Sequence, residues 1–91
     1  MVNYEMIDSD LREDLESNGL RYHGYSTRRS YPAPTQCKTY MMAMAEINAI
    51  DLYRIDDVIN AYGTDNVTVE ASSWIHDTPV SYDVFIHMQV S

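Results

Sequence analysis

The sequence predicts an α+β domain in which two helices cover one face of an antiparallel sheet, on the ferredoxin-like βαββαβ plan with one extra C-terminal β-strand. Three observations predict it. The hydrophobic period switches between two residues and 3.6 residues along the chain. Each helical stretch is closed by a glycine, Gly19 and Gly63. And 91 residues with 45 % hydrophobic side chains, without repeat or Gly/Ser linker, suit one core, hence a single compact domain over 1–91.

Taken in order, Val2, Tyr4 and Met6 alternate with Asn3 and Glu5, the pattern of a half-buried first strand over Val2 to Ile7. From Ser9 to Asn18 the period is helical. Leu11 and Leu15 share a stripe, Asp10 is placed to cap with Glu13 at its third position, and Gly19 suits a left-handed stop. Leu20, Tyr22 and Gly24 alternate with Arg21, His23 and Tyr25 as a second strand that loosens into Ser26 to Tyr31 and ends at Pro32-Ala33-Pro34. Lys38 to Ala49 carries both good helix formers and strand-like alternation. A strand is the preferred reading, because one helix from Gln36 to Tyr62 would exceed common lengths and Asp51 offers a fresh cap; the long helix stays open.

After Asp51, Leu52, Ile55, Val58, Ile59 and Tyr62 form one helical stripe, with Asp56, Asp57 and Asn60 turned away and Gly63 as the stop. Thr64-Asp65-Asn66 is turn chemistry. Val67, Val69, Ala71 and Ile75 then alternate with Thr68, Glu70 and Trp74, His76-Asp77-Thr78-Pro79 closes a hairpin, and Val80 to Val90 is the clearest period-two run in the chain. If Met41, Ala43, Ala45 and Ile47 face the helices, Tyr40, Met42, Met44, Trp74 and Phe85 fall on an uncovered sheet face that wants a partner.

Composition excludes more chemistry than it suggests. Fourteen acids against six bases leave a net charge of −8, which disfavours direct nucleic-acid binding through the phosphate backbone. One cysteine excludes an intrachain disulfide framework and a Cys-x-x-Cys metal loop; with six methionines it fits a reducing cytoplasmic setting. No apolar run reaches the eighteen residues of a membrane span, and no leader pattern opens the chain, so no membrane partner is expected. The run Lys38-Thr39-Tyr40-Met41-Met42-Ala43-Met44-Ala45 lacks the glycine and later aromatics of an RNA-stacking strand. His23, His76, His87, Asp77 and Cys37 show no paired ligand spacing, and no acid, base and nucleophile converge. The expectation is a non-enzymatic protein without metal or cofactor.

Charge is distributed unevenly. Residues 1–17 hold six acids and Arg12, residues 18–40 hold four bases and no acid, and residues 41–91 hold eight acids and Arg54. Asp10, Glu13, Asp14 and Glu16 lie opposite Leu11 and Leu15 and, with Asp8 before them and Asp56 and Asp57 on the other helix, make a negative ridge suited to a basic groove. The tyrosine-laced basic segment contributes Tyr25, Arg28, Arg29 and Tyr31, residue types enriched at interface hot spots. In size, sign of charge and lack of a catalytic set the chain is similar to small acidic antagonists of phages, anti-CRISPR and anti-restriction proteins, although no motif ties it to one family. That resemblance implies an inhibitor, a DNA mimic that occupies a basic surface of a larger, nucleic-acid-handling protein. The competing expectation is a homodimeric regulatory or structural module that pairs through its sheet face or its terminal strand.

Overall fold

The computed structural model describes residues 2–29 and 39–90; the expectations placed on Ser30 to Lys38, including Tyr31, the Pro32-Ala33-Pro34 stop and Cys37, lie outside them. Helix α1 spans Tyr4–Ser17, strand β1 Arg21–Arg29 and strand β2 Thr39–Asn48. A 3-10 stretch, Ala49–Arg54, leads into helix α2, Ile55–Tyr62. After a second short 3-10 turn, Thr64–Asn66, come strands β3, Val67–Ile75, and β4, Thr78–Val90. The architecture is α+β, with two helices against one four-stranded antiparallel sheet of order β1-β2-β4-β3.

The expected first strand is a helix, which removes the leading β of the βαββαβ plan. The Asn3 side chain accepts the Met6 N–H at 3.1 Å and so caps α1 a full two turns before Asp10, which lies mid-helix. Once the helix starts there, Tyr4, Ile7, Leu11 and Leu15 fall on one inward stripe, and this larger burial outweighs the short alternation of Val2, Tyr4 and Met6. Asp51 likewise is no cap: it sits inside the 3-10 stretch, and α2 begins at Ile55 without a side-chain cap. Between the two readings of residues 38–49 the strand prevails, as β2.

The terminal strand is not an added edge. β4 pairs with β2 from Ser81 to Val90 and with β3 from Thr78 to Ile86, leaving only the residues beyond Ile86 unpaired on the β3 side. Since β2 and β3 each run antiparallel to β4, they run parallel to each other, and β2-α2-β3 is a βαβ crossover with a strand inserted between its halves. A copy of the chain therefore has no full β4 edge to pair with.

One apolar cluster holds the layers together. From the helices come Leu11, Leu15, Ile55 and Val58; from the sheet Met41, Ala43, Ala45, Ile47, Val84 and Ile86, with Leu20 and Tyr22 beside α1. The alternation in β2 buries every second residue from Met41 to Ile47 and turns the others outward. Two glycines permit the helix ends. Gly19 (φ +85°) donates to the Glu16 carbonyl, and a Cβ there would lie 2.9 Å from the Arg54 guanidinium; Gly63 (φ +87°) closes α2 on the Ile59 carbonyl.

The β3-β4 hairpin turns on two residues only, His76 (φ 50°) and Asp77 (φ 64°), since Thr78 and Pro79 already belong to β4. Two successive positive φ values match the mirror-image type I turn, whose twist suits a hairpin but which asparagine and glycine occupy more cheaply. Replacing His76-Asp77 by Asn-Gly is expected to stabilise the fold by about 1 kcal/mol, read as a higher urea midpoint at unchanged slope. A lower midpoint would show that the two side chains contribute contacts of their own.

Candidate functional site

The helical layer carries nearly all of the net charge. Six acids and one arginine lie in α1, and three acids and one arginine in residues 49–62, so −7 of the −8 resides there. Asp10, Glu13, Asp14, Glu16, Asp56 and Asp57 are exposed, whereas Asp8 is half-buried. Two contacts set the helices side by side and antiparallel. The Tyr62 hydroxyl donates to the Asp14 carboxylate at 2.5 Å near the end of α2, and the Arg54 side chain packs against Gly19 at the start. Of the expected ridge, Asp14 is thus also a tie between helices, and Asp8 stands beside the Tyr22 hydroxyl under α1.

Several of these charges sit where helix electrostatics opposes them. Glu13 lies three residues from both Asp10 and Glu16, a spacing that brings like charges within about 6 Å. Asp14 and Glu16 occupy the negative end of the α1 dipole, whose last turn has no base. Only an exposed Arg12–Glu16 pair at 3.7 Å offsets this, and Arg12 also lies 5.1 Å from the Tyr22 ring centroid. By contrast Asp56 and Asp57 occupy the first turn of α2, where the dipole favours them.

The Tyr/Arg segment does not join that surface as one unit. Tyr25 stacks on Tyr4 of α1, ring centroids 5.9 Å apart, and packs against the core. Arg28 and Arg29 pair in register with Tyr40 and Thr39 at the far end of β1.

On the opposite side no helix covers the sheet among the described residues. Cross-strand rows follow from the register: Arg21, Glu46, Asp83 and Glu70 at one end; then Gly24, Met44, Phe85 and Thr68; then Ser26, Met42 and His87; and Arg28, Tyr40 and Gln89 at the other end. Arg21 answers one carboxylate of the first row, bonding both Glu46 and Asn48. The centre is apolar, and beside it Ser26, Tyr40, Met42 and His87 line a hollow of about 240 Å³. Trp74 and Ile75, 57 % and 58 % exposed, stand at the tip of the β3-β4 hairpin. Period-two parity predicts the outward residues of β2 and β4, but the bulge between Tyr22 and Gly24 breaks it in β1, and the acidic row needs the strand register. Among the described residues no group of three His, Cys, Asp or Glu is placed to hold a metal, and no helix is long and apolar enough to cross a membrane.

Two tyrosines make the fold sensitive to alkali. Burial, reinforced by the Asp14 carboxylate, raises the Tyr62 pKa; burial, with Asp8 alongside, raises that of Tyr22, whose hydroxyl finds no hydrogen-bond partner of full geometry. Since both are raised above the ordinary value of 10.0, their contribution is complete below pH 10 and is lost as pH climbs past it. The urea midpoint is expected to fall between about pH 9 and about pH 11, and to fall less in Tyr22→Phe/Tyr62→Phe. An equal fall in that variant would place the titration elsewhere.

No family model, curated protein or solved structure matches this chain in sequence or fold.

Proposed function

We propose that the protein is a non-enzymatic binding protein whose helical layer docks on a basic surface of a larger protein, as an inhibitor that mimics the charge of a nucleic acid. The supporting observation is the segregation of −7 of the net charge onto one layer. Some of those carboxylates, Glu13 and Glu16 above all, sit where they weaken their own helix.

The interface centres on Asp10, Glu13, Glu16, Asp56 and Asp57. Asp14, itself exposed, is tied to α2 by the Tyr62 hydroxyl, and half-buried Asp8 stands beside Tyr22. On the same reading the fold is a rearranged ferredoxin-like plan, with β4 in the slot between parallel β2 and β3 that a strand from the first half of the chain would otherwise fill.

The test is affinity capture from host lysate with the full chain and with Asp10→Asn/Glu13→Gln/Glu16→Gln. A nucleic-acid-binding protein that is retained at low salt, released at high salt, displaced by duplex DNA and lost with the variant supports the reading. Equal capture by the variant, or indifference to DNA, removes it.

A further inference from the structure

We propose that the open sheet face holds a site for a soft monovalent metal ion, copper(I), with the Met42 and Met44 thioethers and the His87 imidazole as its ligands. The placement comes from the strand register. Met42 and His87 stand directly opposite each other on β2 and β4, and both line the hollow of about 240 Å³. Met44 follows Met42 by two residues and so shares its face, diagonal to His87. Opposed residues of an antiparallel pair hold their Cβ atoms about 5 Å apart and diagonal ones about 7 Å, gaps that the three rotatable bonds of a methionine carry a sulfur across. The three side chains therefore reach one common point above the sheet.

Donor chemistry selects the ion. Thioether sulfur is uncharged and soft, imidazole suits the later transition metals, and copper(I) is the ion that both favour. A zinc or calcium ion would find neither thiolate nor carboxylate in the set to offset its double charge. Phe85 stands across from Met44 and two residues from His87 on the same face, where its ring attracts a single positive charge and packs on sulfur. Ser26 and Tyr40 complete the wall of the hollow. Entry is open, since His87 is exposed while Met42, Met44 and Phe85 are half-buried. Met41, by contrast, is fully buried in the core, so the alternation of β2 divides a packing methionine from the two ligands beside it. Spacing along the chain shows no such set, because His87 reaches the methionines only through the pairing of β2 with β4. The site lies on the face opposite the acidic helices, and it stands or falls independently of the docking proposed above.

The experiment is an anaerobic titration of the full chain with copper(I) in competition with a chromophoric copper(I) chelator. It is run on the wild type, on Cys37→Ser, which removes the one thiol, and on Met42→Leu, Met44→Leu and His87→Gln in that background. Leucine keeps nearly the volume of methionine, and circular dichroism checks the fold of each variant. Cys37→Ser is expected to bind one equivalent with a Kd below about 1 μM. Each ligand variant is expected to weaken that binding at least about tenfold. Carbon NMR of the methionine methyls is expected to shift Met42 and Met44 and to leave the exposed Met6 unmoved. Absence of binding in Cys37→Ser overturns the proposal, and binding that survives the three ligand variants places the ion elsewhere and overturns it too. Zinc(II) bound as tightly through the same residues overturns the choice of ion.

Discussion

Leu15→Ala is expected to cost about 3 kcal/mol, the largest loss of stability from any single truncation in α1. Leu15 is fully buried, at 0 % exposure, and meets the sheet at the point where the chain leaves the helix. Its carbonyl accepts the N–H of both Asn18 and Leu20, so the side chain and the helix exit are secured together. Removing its branched end leaves a cavity between α1 and the sheet that rigid strands cannot close, which places the cost within the roughly 2–5 kcal/mol seen for such truncations. For a domain of 91 residues such a loss should bring thermal unfolding about 15 °C earlier. Urea and thermal melts of the purified variant check this. A loss under about 1 kcal/mol would mean that α1 does not pack on the sheet through Leu15.

Asp10→Asn/Glu13→Gln/Glu16→Gln is expected to move stability and binding in opposite directions. Each neutralisation relieves an i, i+3 repulsion or a charge at the negative helix end, partly offset by loss of the Arg12–Glu16 pair, for a net gain of about 0.5–1 kcal/mol. The same change removes three charges from the docking surface and is expected to weaken a salt-sensitive complex about 100-fold. Asp56→Asn/Asp57→Asn differs in sign. These two carboxylates favour the start of α2, so their loss is expected to lower both binding and stability, the latter by about 0.5 kcal/mol. Denaturation and titration calorimetry on the two variants separate the cases. If the α1 variant lost stability, the acids would be structural, and the reason for assigning them to a partner would go.

Much of the candidate site was legible from residue types alone. The stripe of α1 marks Asp10, Glu13 and Glu16 as outward, and that of α2 does so for Asp56 and Asp57, because 3.6-residue geometry leaves those positions no route to the core. Tyr25 was not legible. A tyrosine suits an exposed hot spot and a stack against a neighbouring helix equally well, and only the presence of Tyr4 across from it decides. The link between Tyr62 and Asp14 spans 48 residues and carries no local signature.

Local pattern by itself determined the two-faced character of β4, the amphipathic stripe of α2, the stops at Gly19 and Gly63, and the charge of each segment, since these depend on neighbours only a few residues away; for residues 38–49 it left strand and helix both open, and the pairing of β2 with β1 and β4 decided. Tertiary structure alone decided that residues 4–7 are helical and that β4 lies inside the sheet. Three alternating residues hold too little information to separate a strand from a first helical turn, and the choice passes to the contacts of Tyr4 and Ile7 with the core. Strand order is likewise set by which arrangement buries β2 and β4 together beneath both helices, a property of the assembled layers that no stretch of chain carries.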